Sequence, residues 1–212
     1  MIRACVLAVD IQNDFNEDGS LPVPGASEVP NQVNKLVKAL SMRLPGPYLR
    51  KIATKDWHEP GHVGEKIWPV HCIQDSYGAE FIEHFDSKEF FVVYKGTVKT
   101  VESYSGFASE GAPIDASPGR CAAQEVTNLR LMLDSSAVTH VIVCGLALDV
   151  CVKFTAMDAL ARGFKVCVVL SATRALTKES HDNTVKYFKQ SGITVVDTIE
   201  ECLMYINREA GL

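Results

Sequence analysis

The chain has 212 residues, 47% of them apolar and 22% charged, so it can bury a substantial core without disulfide or metal staples. Its formal net charge of −5 excludes a general electrostatic pull toward phosphate backbones, and no nucleic-acid partner is expected. No apolar run approaches the roughly 20 residues that span a bilayer, so no membrane partner is expected either.

The first apolar run, ACVLAV at 4–9, leads into DIQNDF without a small-residue cleavage site, so it reads as a strand rather than a signal peptide. Next comes SEVPNQVNKLVKALSMRL at 27–44, where Val29, Val33, Leu36, Val37 and Leu40 recur every three or four residues and predict an amphipathic helix. RKIAT at 50–54 and FFVVY at 90–94 predict the second and third strands. Between them, residues 57–80 form a loop too long for mere connection, and residues 96–119 form another, rich in Gly, Ser and Pro. HVIVCG at 140–145 predicts a fourth strand, and CVKFTAMDALARG a helix with Val152, Thr155, Ala156, Ala159 and Leu160 on one face and Gly163 at its end. KVCVVL at 165–170 is the fifth strand, and SHDNTVKYFKQSG a helix starting at Ser180 or Asp182 and stopping at Gly192. ITVV at 193–196 closes the series. The strand runs are continuous and β-branched rather than alternating, as strands buried on both faces are. Strands alternating with helices imply right-handed crossovers, hence a single domain over 1–212 with a three-layer α/β/α sandwich and a six-stranded, mainly parallel, Rossmann-like sheet.

Ligands of such sheets bind at the carboxyl ends of the strands. Asp10 follows the first strand, Asp56 and His58 the second, Lys95 the third and Cys151 the fourth. Asp10 is either a loop cap or a poorly solvated carboxylate with a raised pKa, suited to proton transfer near neutrality. Asp56 and His58 at i, i+2 point to one side of an extended segment, and His71 could complete a set for Zn²⁺, Fe²⁺ or Mn²⁺; the alternative is surface polar residues. His62 and Glu65 are spare ligand candidates, while His84 and His140 read as structural or surface residues. Lys95 either snorkels to water or favours a thiolate beside it.

Cys151 sits where a helix begins. Free N–H groups there favour negative charge, lower a thiol pKa and can hold an oxyanion; the competing reading is an inert core thiol. Cys144 and Cys167, mid-strand, fit the inert reading, and Cys72, next to His71, is a rival nucleophile without a helix start. The seven cysteines (Cys5, Cys72, Cys121, Cys144, Cys151, Cys167, Cys202) are odd in number and scattered, which is reduced-thiol usage and points to an intracellular protein. Cytoplasmic is the expectation, with peroxisomal or glycosomal import as the alternative because the C-terminal AGL loosely resembles an import tripeptide.

Taken in order, AVDIQNDF, KDWH, WPVHC, YKG, SYSGF and GLALDVCV resemble the isochorismatase-like cysteine hydrolases and, within them, the nicotinamidase group, over nearly the whole chain. The resemblance implies a catalytic triad of Asp10, Lys95 and Cys151. It implies a divalent metal, zinc before iron or manganese, on Asp56, His58 and His71, and an aromatic wall of Phe15, Trp68 and Tyr104 around a nicotinamide ring. It also implies a cis peptide before Ala147, whose N–H would join that of Cys151 as an oxyanion donor. The implied activity is hydrolysis of nicotinamide to nicotinate and ammonia through a cysteine thioester, in NAD salvage. The alternatives are another small carboxamide as substrate or a non-catalytic nicotinamide- or metal-binding protein. Residues 108–124 match no motif and are assigned to the pocket rim or to a contact in a homo-oligomer.

Overall fold

The computed structural model describes residues 2–109 and 125–211. Six strands form one parallel sheet: β1 (Ala4–Val9), β2 (Leu49–Asp56), β3 (Phe91–Lys95), β6 (His140–Leu146), β7 (Lys165–Arg174) and β8 (Thr194–Val196). Their spatial order is β3-β2-β1-β6-β7-β8. A two-stranded antiparallel ribbon, β4 (Ala108–Ser109) with β5 (Glu125–Val126), stands apart. The helices are α1 (Val29–Arg43), α2 (Leu129–Ser135), α3 (Cys151–Ala161), α4 (Lys178–Ser191) and α5 (Ile199–Ala210).

Alternate residues of the central strands feed two cores, which makes the three layers. On β1, Ala4, Val6 and Ala8 join the residues of α1 and α5, while Cys5, Leu7 and Val9 join those of α2, α3 and α4. All six residues of β1 and all seven of β6 are buried, and apart from His140 at the start of β6 neither strand carries a polar side chain. The expected face of α1 is the buried one: Val29, Val33, Leu36, Val37 and Leu40 are all in the core. On α3, Val152, Thr155, Ala156 and Ala159 are buried, while Leu160 is only partly so.

Helix ends follow their capping chemistry. Helix α3 closes at Gly163 (φ +88), with Gly163 N–H donating to Leu160 O (2.9 Å) and Phe164 N–H to Ala159 O (3.2 Å), the paired bonds of a Schellman stop. Helix α4 stops at Gly192 as expected but starts earlier than the expected Ser180 or Asp182. Thr177 and Ser180 form a reciprocal capping box, which places the first turn at Lys178. Helices α2 and α5 go beyond the sequence expectations. Strand β7 also runs four residues further than KVCVVL, past a register shift against β6, and pairs Thr173 with Gly145 and Arg174 with Leu146.

The strand order reverses between β1 and β6, so a crevice opens at their carboxyl ends. Asp10, Asp56, Lys95 and Cys151 all converge there. Among the described residues no helix is long and apolar enough to cross a membrane. Of the unassigned segment 108–124, residues 110–124 lie outside the described residues, Cys121 included.

Candidate active site

The strand ends bring together a buried ionic cluster. Asp10 ends β1 with φ +46, a left-handed turn that is uncommon outside glycine. It is fixed from β2: Asp10 N–H donates to Thr54 O (3.2 Å), and Thr54 Oγ1 donates to Asp10 Oδ1 (2.5 Å). Lys95 ends β3 and is fully buried rather than snorkelling. Its Nζ lies 3.0 Å from Asp10 Oδ2, 2.5 Å from Asp56 Oδ1, 3.1 Å from Ser103 O and 3.6 Å from Cys151 Sγ. One ammonium thus sits among two carboxylates, a carbonyl and a thiol.

These contacts set the protonation of the cluster. Burial alone would lower the pKa of Lys95, but Asp10 and Asp56 hold it well above the usual lysine value. Burial raises the pKa of Asp10, against the opposing charge of Lys95. Burial also favours a protonated Asp56, yet Lys95 and His58 hold it well below the usual carboxylate range. Cys151 departs from the sequence expectation of a lowered thiol pKa. Burial, followed by the nearby Asp10 and Asp56, pushes it well above the usual value despite Lys95, and the thiol hydrogen-bonds to Asp10. The helix start is present, but its field does not outweigh burial beside two carboxylates. Burial beside two carboxylates therefore favours the protonated form of the Cys151 thiol.

Next to Cys151, the Leu146–Ala147 peptide is cis. Gly145 precedes it with φ +107, and a Cβ there would lie 2.1 Å from Val9 O, so only glycine fits. The long β7 holds this turn: Thr173 Oγ1 donates to Gly145 O (2.6 Å), and Leu148 N–H donates to Arg174 O (2.7 Å). Ala147 O accepts from the N–H groups of Val150 and Val152 (3.1 Å each). Among the described residues, the N–H groups of Ala147 and Cys151 themselves donate to no protein acceptor.

Asp56, His58 and His71 form a second group. His58 Nε2 and His71 Nε2 lie 3.5 and 3.6 Å from Asp56 Oδ2. Both rings are oriented by carbonyls: Nδ1 of His58 faces Gly96 O (2.9 Å) and Nδ1 of His71 faces Pro69 O (2.7 Å). A carbonyl only accepts, so each Nδ1 carries a proton, and in the neutral tautomer each Nε2 is left with a lone pair to offer. His58 Nε2 is buried and, among the described residues, makes no hydrogen bond. A divalent cation of the kind that imidazole and carboxylate ligands select fits this donor set. Gly96 is required beneath it, because φ is +65 there and a Cβ would come within 2.4 Å of His58 Cε1.

Two other groupings of potential ligands occur among the described residues, His58–His62–Glu102 and Asp10–Asp56–Cys151. The second already encloses the Lys95 ammonium. In the first, His62 is spent on the backbone: its Nε2 faces Val101 O (2.9 Å) and its Nδ1 accepts from Gly64 N–H (3.1 Å). Its ring stacks on His58 at 4.1 Å. Glu65, the other spare candidate, is exposed and accepts from Gly61 N–H (2.7 Å). His84 is exposed, while His140 is buried and reaches Glu209 (3.3 Å) on α5, a structural tie. Cys72 is buried at φ +47, with its pKa pushed well up by burial, and no helix begins there.

A cavity opens onto both groups. Phe15, Trp68 and Tyr104 line it, with Asp56 and His71 on one part of its wall and Ala147 and Cys151 on another. Phe15 packs on His71 (5.5 Å between ring centres), Trp68 Nε1–H donates to Tyr104 Oη (3.1 Å), and Tyr104 stacks on Phe154 (5.3 Å). Leu21, Val23, Glu102, Val150 and Leu176 complete the wall. Val150 falls within GLALDVCV, but the other four carried no motif and none of the five was singled out. They lie in loops and turns, and their place on the wall follows from the fold alone.

The isochorismatase domain model matches residues 4–200. The nicotinamidase of Escherichia coli is 31% identical over 206 residues, covering 88% of this chain and 90% of that protein. The crystal structure of Pyrococcus horikoshii pyrazinamidase in complex with zinc superposes with a TM-score of 0.77 at 30% identity, over 92% of this chain and 99% of that one. The yeast nicotinamidase bound to the inhibitor nicotinaldehyde superposes with a TM-score of 0.77 at 26% identity, over 92% of this chain and 100% of that one.

Proposed function

The chain belongs to the isochorismatase family and is an amidase, and on that premise we propose that its substrate is nicotinamide, hydrolysed to nicotinate and ammonia through a thioester on Cys151. The observation that carries this reading is the buried Asp10–Lys95–Cys151 cluster at the wall of an aromatic cavity that also reaches Asp56 and His71. The names and ligands of the relatives support it: nicotinamidases recur among them, and the yeast structure holds a pyridine aldehyde.

In this reading Asp56, His58 and His71 hold a divalent cation, zinc first, as in the P. horikoshii structure, with iron or manganese as alternatives. When bound, the cation supplies a Lewis acid for the ring nitrogen of the substrate. Phe15, Trp68 and Tyr104 hold the ring between them and exclude water. The carboxamide then faces Cys151, with its oxygen toward the N–H groups of Ala147 and Cys151, which among the described residues have no other acceptor to serve.

Asp10 takes the thiol proton as the sulfur forms its bond to the carboxamide carbon, and the carbonyl pair moves onto the oxygen. On collapse the C–N bond breaks, and Asp10 returns the proton to the nitrogen, which leaves as ammonia. A water then attacks the thioester carbon, Asp10 accepts its proton, and the C–S bond breaks to give nicotinate and the thiol. Lys95 keeps the negative charge of the cluster neutralised throughout. The same reading places the enzyme inside the cell, in pyridine-nucleotide salvage.

The test is ammonia release from nicotinamide and from aliphatic amides, by wild type and Cys151→Ala, with and without chelator. Nicotinamide turnover lost in Cys151→Ala is the expected result. Turnover of aliphatic amides with none of nicotinamide would reassign the substrate, and activity surviving in Cys151→Ala would remove the thioester.

A further inference from the structure

The segment AVDIQNDF supplies Asp10 and Phe15 to the reading above but leaves its three other polar side chains without a role; Asn13 donates to Tyr77 O (2.9 Å), while Gln12 and Asp14 bond to the chain at the metal donors. We propose that Gln12 and Asp14 are positioning residues that set the spacing of the Asp56, His58 and His71 donors, so that the loop carrying the catalytic base also holds the metal site in shape. The proposal rests on the metal-binding part of the proposed function.

Gln12 is completely buried, which is rare for this residue type unless every polar atom is matched. Its Nε2 donates to Asp56 O (2.8 Å) and to Ala79 O (3.0 Å), and its Oε1 accepts Asp56 N–H (2.8 Å). The primary amide therefore pairs with both main-chain groups of Asp56, as a neighbouring strand would. The ladder between β1 and β2 ends at Ala8 opposite Ala53, so at Asp56 the side chain of Gln12 replaces the missing strand. Asp56 is the residue whose two carboxylate oxygens face different groups, Oδ2 the imidazoles and Oδ1 Lys95. A rotation of its main chain would move both oxygens together.

Asp14 acts on the opposite flank. Its Oδ2 accepts Cys72 N–H (2.6 Å), immediately after His71, where the chain turns through φ +47. The Asp14 carboxylate fills the space above Gly78, where a Cβ would lie 2.0 Å from Oδ2. Phe15 follows and packs on the His71 ring. His58 N–H donates to Cys72 O (2.9 Å), so the Cys72 peptide links the two imidazole ligands. Gln12 thus fixes one donor and Asp14 the turn that joins the other two.

The chemistry of the side chains is specific. Glutamate at position 12 could accept from Asp56 N–H but would press its second oxygen against two carbonyls. Asparagine at position 14 keeps an oxygen that can accept Cys72 N–H, whereas alanine keeps nothing.

The experiment measures Zn²⁺ affinity of the full-length, metal-stripped protein by competition with a chromophoric chelator, alongside the melting temperature of each variant. Gln12→Glu and Asp14→Ala are expected to weaken Zn²⁺ binding by about 10–100-fold, and Asp14→Asn to recover most of the loss. Leu40→Ala, which removes buried packing in α1, is the control: it lowers the melting temperature but leaves affinity at the wild-type level. Wild-type affinity in Gln12→Glu and Asp14→Ala overturns the proposal, as does a loss of affinity that Leu40→Ala reproduces at the same melting temperature. If Gln12→Glu does not fold, the comparison of Asp14→Ala with Asp14→Asn decides. A wild-type protein that binds neither Zn²⁺, Fe²⁺ nor Mn²⁺ overturns the metal reading itself, and the proposal with it.

Discussion

Replacing Lys95 with Met deletes the ammonium while keeping an unbranched stem of similar length. The ammonium is wholly buried, 3.0 Å from Asp10 and 2.5 Å from Asp56, so its removal leaves two carboxylates in the interior with no cation between them. Deleting one partner of a buried ion pair costs about 3–5 kcal/mol. Two carboxylates sharing one cation push toward the upper end. Asp10 pulls the other way: burial already raises its pKa, so it can take up a proton and relieve the repulsion. A loss of about 3 kcal/mol follows, which for a chain of this size lowers the melting temperature by about 6–12 °C. The assay is thermal denaturation of the metal-stripped protein at neutral pH, because a cation on Asp56 would partly stand in for the lost charge. The double variant Lys95→Met with Asp10→Asn removes one of the two carboxylates and is expected to recover part of the loss. A single variant within about 1 kcal/mol of wild type, or a double variant no more stable than the single, would refute the idea that this charge holds the cluster together.

Cys151→Ala is expected to lower kcat on nicotinamide by at least about 10³-fold while leaving Zn²⁺ affinity at the wild-type level, measured by ammonia release and chelator competition. Gly96→Ala should push the His58 ring aside, since the new Cβ would meet Cε1 at 2.4 Å; a Zn²⁺ affinity equal to wild type would show that the ring adapts. The buried thiols give an alkaline limb to stability. Burial raises the pKa of Cys5 and Cys144 above their unfolded values. Their contribution is therefore complete below the unfolded thiol pKa and is lost as pH rises past about 9, at about 1.4 kcal/mol per pH unit for each thiol. Urea titrations across that range should show a shallower decline in Cys5→Ala with Cys144→Ala, and an unchanged slope would contradict it.

The strands were legible because each is a continuous apolar run, and the core face of α1 because its spacing is regular. The order of the strands was not legible. It depends on pairings such as that of Ala4 with His140, which no local pattern encodes. Helix α5 was legible but not read: Thr198 caps onto Glu201 N–H, and Ile199, Cys202, Leu203 and Ile206 recur at helical spacing. Of the site, the residues at strand ends were legible by position. What joins them was not: Lys95 to Asp56 spans 39 residues of chain, and Gln12 to Asp56 spans 44. The expected drop in the Cys151 pKa was wrong in sign because the helix start was weighed without the burial and the two carboxylates that the fold brings to it.

That reversal bears on how the thiol can react. With the thiol neutral, the cluster holds two carboxylates and one ammonium, a net charge of −1. A thiolate formed by losing its proton to solvent would take the cluster to −2 in a buried site, which is why burial and the carboxylates oppose it. Passing the proton to Asp10 instead leaves one carboxylate, one thiolate and one ammonium, again −1. Both Asp10 and Cys151 have raised pKa values for the same reason, so the transfer between them is far less costly than ionisation of either alone. Lys95 lies within 3.6 Å of Cys151 Sγ and 3.0 Å of Asp10 Oδ2, and stays close to the negative charge whichever residue carries it. In the proposed mechanism the thiol proton therefore passes to Asp10 rather than to solvent, and until it does the buried sulfur is a poorly reactive thiol.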